Sequence, residues 1–204
     1  MTAWITMISD DDASPELAEA LDQVRAPSGD IGNVMRVHSL RPATVIGHQT
    51  LYMSVLHNDD NQVPMWFQEV IASYVSILNA CDYSLTNHFA NARYLIDDDA
   101  RADAVWEALH RRQPQEVFEG AELAMLRYAE KLTLEPGAMM EADLAEMRRH
   151  GVDDGAILEV NQVCCYFNYA NRLLNGLGVT LEGDVVGFYV GTDDAEEYRI
   201  GASS

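Results

Sequence analysis

The sequence predicts an all-α protein. Three observations carry this: apolar residues recur at helical spacing in one segment after another, glycine and proline fall mostly between those segments, and helix-capping residues stand at several of the breaks. Ser14-Pro15-Glu16 opens a short helix, with Pro15 at its first position, where a missing N–H leaves no bond unmade. A second helix is expected from about Ala43 to His57, with Val45, Ile46, Leu51, Tyr52, Val55 and Leu56 at roughly helical spacing. Pro64 to Leu78 is apolar on most faces and its charge is essentially Glu69 alone, which predicts a central, buried helix. Asn79 then offers a cap, and Asp82 three residues on resembles a capping box with Asp in place of Glu. The next helix should start at or near Cys81 and run to about Tyr94.

Asp99 to Arg112 and Gln115 to about Lys131 follow as helices, and Pro136-Gly137 breaks the chain. Glu141 to His150 is a short helix stopped by Gly151. Asp153-Asp154 starts a long helix to Asn175, stopped by Gly176-Leu177-Gly178. Beyond Val179 the pattern is mixed. Val185 to Val190 reads as a strand or as an arm that packs on a partner, and Gly201-Ala202-Ser203-Ser204 as a disordered end. The expected organisation is one helical domain over residues 1–184 and a C-terminal arm or tail over 185–204.

Composition narrows the function. The chain has 204 residues, of which 48% are hydrophobic, enough for one substantial core. The net charge of −20 repels phosphate backbones and anionic lipid, so neither nucleic acid nor membrane is an expected partner. Asp10-Asp11-Asp12, Asp97-Asp98-Asp99 and Asp193-Asp194 read as solvated turns and helix starts, because none has calcium-loop spacing. Three cysteines, Cys81, Cys164 and Cys165, do not make a disulfide framework. The N-terminal segment lacks the basic region and cleavage site of a signal peptide, and no uncharged apolar stretch is long enough to span a bilayer. The expected setting is the reducing cytoplasm.

The chemistry concentrates in Cys81-Asp82-Tyr83-Ser84-Leu85-Thr86-Asn87-His88. Cys81, Ser84 and His88 stand at i, i+3 and i+7, on one face of a helix. At a helix N-terminus the Cys81 thiol meets amide donors that favour the thiolate, while Asp82 beside it opposes that charge. The alternative for Cys81 is a small buried hydrophobe. Glu69 lies twelve residues upstream on a stripe with Met65, Ala72, Ser73, Ser76 and Ala80. A carboxylate there needs a partner, and His88 can supply it. Cys81 and His88 are separated by ~10 Å of helix, too far to share one zinc, so no metal is expected.

The last long helix carries a polar stripe of Asn161, Cys165, Asn168, Arg172 and Asn175, flanked by Cys164 and Asn171. It reads as a satisfied buried network, a subunit contact or a pocket wall. Cys164 and Cys165 read as inert core thiols, unless one resolves an oxidised Cys81 across a Cα separation below ~7 Å.

At these residues the chain resembles a known family. From about Asn33 to Asp184, three quarters of its length, it is similar to the alkylhydroperoxidase D-like, peroxidase-related branch of the carboxymuconolactone decarboxylase family. That family's hallmark is a Glu followed twelve residues later by Cys-x-x-Cys-x-x-x-His. Glu69, Cys81, Ser84 and His88 fall in that register. Val37-His38-Ser39-Leu40-Arg41-Pro42, Leu126-Arg127-Tyr128-Ala129-Glu130-Lys131-Leu132 and Tyr166-Phe167-Asn168-Tyr169-Ala170-Asn171-Arg172-Leu173 look like the same branch. The resemblance implies an all-α fold with the motif helix at its centre, a homo-oligomer, and a thiol peroxidase cycle on a hydroperoxide, without metal, haem or other cofactor and with an external thiol reductant. It also implies that Glu69 and His88 relay the proton and that Cys81 supplies one thiol. Ser84 departs from it. A serine hydroxyl cannot close a disulfide, and in the family the second, inner thiol lies closest to the relay. The alternatives are an acid–base enzyme on a small organic substrate, like the lactone-decarboxylating relatives, or a binding or scaffold protein that has lost the reaction.

Overall fold

The structure is a computed structural model that describes residues 2–26 and 29–188. Among these residues there are nine α-helices and no strand: α1 (Pro15–Asp22), α2 (Asn33–Arg36), α3 (Pro42–Leu56), α4 (Met65–Leu78), α5 (Asp82–Ile96), α6 (Asp99–His110), α7 (Gly120–Leu134), α8 (Glu141–Arg149) and α9 (Asp154–Leu177). The starts follow the sequence signals. Ser14 Oγ accepts from the Leu17 amide and Asp153 Oδ1 from the Ala156 amide, each satisfying a donor that the first turn leaves open. At the other end of α9, Gly178 takes the left-handed conformation with φ 60°.

The helix α4 is the hub. It is buried on every face from Phe67 to Ser76, as its single charge requires, and it packs on α5, α9 and α7. Around it lies the main core, with Phe67, Val70, Ile71, Tyr74 and Val75 against Leu126, Ala129, Val160, Val163 and Phe167. A smaller cluster joins Ala3, Val37, Cys81, Tyr83, Leu174 and Val179. It is closed by the N-terminal segment, where the Trp4 amide donates to the Leu177 carbonyl at 2.8 Å and the Thr180 amide to the Thr2 carbonyl at 2.9 Å.

The corner between α4 and α5 differs from expectation. Asn79 does not cap α5: it ends α4, and its side chain donates to Asn168 Oδ1. The amides of Ala80 and Cys81 donate back to the carbonyls of Ile77 and Ser76, so α4 closes in a Schellman turn with Ala80 at the left-handed position, φ 49°. With Asn79 and Ala80 used for that closure, Cys81 becomes the N-cap residue of α5.

Two other expectations change. The predicted helix from Gln115 begins only at Gly120, because Pro114–Glu116 forms a separate 3-10 turn and the chain reverses at Gly120 with φ 54°. The segment Val185–Phe188 forms no strand, and it lies on its own chain: the Gly187 and Phe188 amides donate to Asn87 and Asn91 of α5. The rest of that segment and the Gly201–Ser204 end lie outside the described residues.

Candidate active site

The most extensive pairing of helices, α4 with α5, brings two of the four predicted residues into direct contact. Small residues on α4 allow it: Ala72, Ser73 and Ser76 have no exposed surface and face neighbours at short range. Glu69, itself without exposed surface, accepts from His88 Nδ1 at Oε2 (2.7 Å) and from Asn91 Nδ2 at Oε1 (3.1 Å). A buried carboxylate is tolerated when both oxygens are satisfied in this way. With Nδ1–H committed to the carboxylate, neutral His88 carries its lone pair on Nε2, the arrangement of a general base oriented by an acid. The ring stands edge-on to Phe167, with centroids 4.5 Å apart.

Ser84 lies one turn above His88 on α5 and is buried. Its hydroxyl is hydrogen-bonded to Ser76 Oγ at 2.9 Å, and Asn171 of α9 reaches Ser76 at 3.4 Å. The hydroxyl is therefore part of a polar contact across three helices. Cys81, next along the motif, sits in the smaller apolar cluster with 1% exposure. Burial pushes its thiol up, and Asp82 adds to that, while the Ser84 and Tyr83 amides only partly offset the rise. Burial, with Asp82, outweighs the helix amides, in line with the reading of Cys81 as a small buried hydrophobe.

Cys164 belongs to the main core, bonded to Thr133 Oγ1 at 3.4 Å, with its thiol pushed up to about 11 by burial. Cys165 is exposed, which corrects its reading as a core thiol: it lies on the outer side of α9. The three cysteines are free, and Cys81 and Cys164 occupy different clusters, so the structure does not bring a resolving thiol to Cys81. The polar stripe of α9 is a satisfied network. Asn161 donates to Tyr128, Asn168 to Thr133, Arg172 to Asn168, and Asn175 to the Asn79 carbonyl.

Sequence reasoning missed Asn91 and three histidines. His57 of the α3–α4 connection stacks near Tyr52 and Phe188, with ring centroids 5.0 and 5.5 Å apart, and feels the charges of Glu69 and His88. His38 and His48 are buried and bonded to one another. The only usable signal was their position in apolar segments of a chain otherwise rich in acids. Among the described residues, no group of three His, Cys, Asp or Glu is placed to hold a metal ion, and no helix is long and apolar enough to cross a membrane.

No protein-family model and no curated protein matches the chain. Solved structures do. An uncharacterised peroxidase-related protein from Ralstonia eutropha JMP134, described as an alkylhydroperoxidase AhpD core, superposes with TM-score 0.76 at 19% identity, covering 88% of this chain and 92% of that one. A peroxidase-related protein from Silicibacter sp. TM1040 gives 0.75 at 23% identity, over 88% and 91%. A cysteine-to-alanine variant of the debrominase Bmp8, in complex with 2,3,4-tribromopyrrole, gives 0.69 at 17% identity, over 90% and 94%. With that agreement over most of each chain, the protein takes the alkylhydroperoxidase D-like helical fold that its sequence resembles.

Proposed function

We propose that the chain is a peroxidase-related oxidoreductase that reduces a small hydroperoxide through Cys81, with Glu69 and His88 as its proton relay and an external thiol as reductant. The observation that carries this reading is the buried Glu69–His88 bond at 2.7 Å, set beside a motif helix that begins at a cysteine. In this reading the relay takes the thiol proton, the thiolate attacks the peroxide oxygen, and the alcoholate leaves with a returned proton. Cys81 becomes a sulfenic acid. Ser84 cannot condense with it, so an outside thiol forms the mixed disulfide. The protein would work as a soluble cytoplasmic homo-oligomer.

The burial of Cys81 favours a second reading, in which Glu69 and His88 do acid–base work on a small organic molecule and the thiol is dispensable. One comparison separates them: thiol-dependent hydroperoxide consumption by the chain as it stands, by Ser84→Cys and by Cys81→Ser. The first reading expects turnover that Ser84→Cys raises strongly and Cys81→Ser abolishes. Absence of sulfenic-acid labelling at Cys81 under excess peroxide overturns it.

A further inference from the structure

A second polar system runs from the neighbourhood of the Glu69–His88 pair to the surface. Tyr166 of α9 precedes Phe167, whose ring stands edge-on to both His88 and Tyr166, with centroids 4.5 and 5.0 Å away. The Tyr166 hydroxyl lies 2.8 Å from His48 Nε2. His48 Nδ1 lies 2.9 Å from His38 Nε2, and His38 Nδ1 lies 3.0 Å from Thr44 Oγ1. His38, His48 and Tyr166 are buried, whereas Thr44 and Arg41 are exposed.

The proton positions follow from one end. Thr44 Oγ1 donates its only proton to the Arg41 carbonyl at 2.8 Å. It must therefore accept from His38 Nδ1, which makes His38 Nε2 an acceptor. His48 must then donate from Nδ1, and Tyr166 must donate its hydroxyl proton to His48 Nε2. Burial holds both imidazoles neutral, with His48 lowered to about 4, so each bond holds one proton and every donor points outward.

We propose that Tyr166, His48, His38 and Thr44 form a proton path between the Glu69–His88 site and the surface, with His48 as the positioning residue that orients the Tyr166 hydroxyl. The proposal rests on the reading of Glu69 and His88 as an acid–base centre. When a proton from the site reaches the Tyr166 oxygen, the hydroxyl's own proton passes to His48 Nε2. The Nδ1 proton of His48 passes to His38 Nε2, that of His38 to Thr44, and the Thr44 proton to water. No group is left charged, and every donor then points inward. Return of one proton to the leaving group restores the original directions. One proton out and one in thus suits a reaction that first strips a nucleophile and then protonates a leaving group.

The experiment has three parts on the full chain. Nitrogen NMR of the imidazoles should find neutral His38 and His48 both protonated at Nδ1; an Nε2 proton on either overturns the path. Solvent exchange of the Tyr166 hydroxyl proton should slow several-fold in Thr44→Val, an exposed site whose change leaves nearby backbone amides unaltered. Unchanged hydroxyl exchange overturns the proposal. In whichever form turns over hydroperoxide, Thr44→Val should lower kcat, leave KM unchanged and raise the solvent deuterium isotope effect, and equal values in parent and variant overturn it. If no form turns over hydroperoxide while the first two parts hold, the peroxidase reading falls and the path stands.

Discussion

Replacing His88 by alanine tests the site through stability, without assuming a substrate. Glu69 would keep Asn91 on Oε1 but lose its donor on Oε2, inside a helix pair that gives the carboxylate no exposed surface. Breaking a buried pair by removing one partner costs about 3–5 kcal/mol, because the remaining group is left uncompensated. The His88 side chain is 15% exposed, so water can enter the gap, which favours the lower end of that range. Glu69→Gln keeps the shape and can still bond Asn91 and the imbalanced imidazole, at a cost of about 1 kcal/mol. The combined Glu69→Gln, His88→Ala protein leaves no buried carboxylate and should therefore be more stable than His88→Ala alone. Urea unfolding followed by circular dichroism measures all three, with the slope m checked for constancy. The reasoning is refuted if His88→Ala costs less than about 1 kcal/mol, or if adding Glu69→Gln to it lowers stability further.

Gly178→Ala should destabilise by about 1–3 kcal/mol, since φ 60° disfavours a Cβ and the added atom would overlap the Trp4 indole; thermal unfolding reads this directly. The neutral state of buried His48 should make the fold acid-sensitive. Its value falls from 6.5 to about 4, so the unfolded chain binds the extra proton first, and about 3 kcal/mol is lost as pH drops through that window. His48→Gln should flatten that limb of the stability–pH curve. For Cys81 the sign is opposite: a raised thiol value favours the neutral form, and its contribution persists below pH 9.0 and is lost as pH rises beyond it. Alkylation of the folded protein at Cys81 should therefore keep accelerating above pH 9.0, and rapid native-state alkylation at neutral pH would contradict the burial described.

The parts of the fold that were legible in sequence are those set by local chemistry. One charge in fifteen residues marks α4 as buried, Ser14 and Asp153 mark helix starts, and Gly178 marks a stop. The Glu69–His88 contact was legible because both residues lie in one pattern on consecutive helices. The α4–α5 corner was not, because an alanine occupies the left-handed position that glycine usually takes. The burial of Cys81 was legible only as one of two readings, because its cover includes Ala3 and Val179, which only the assembled chain brings together. His48 and Tyr166 are 118 positions apart, and no periodicity links them.

Asn91 has one amide group and two obligations. Its Nδ2 donates to Glu69 Oε1, and its Oδ1 accepts from the Phe188 amide at 2.6 Å. Turning that amide breaks both bonds at once. Whatever holds or lifts the chain at Phe188 therefore alters the donor set of the buried carboxylate, and by linkage a ligand that reshapes the carboxylate's bonding must change the affinity of that segment for α5 by the same factor. The last described segment of the chain is thermodynamically coupled to the Glu69–His88 pair.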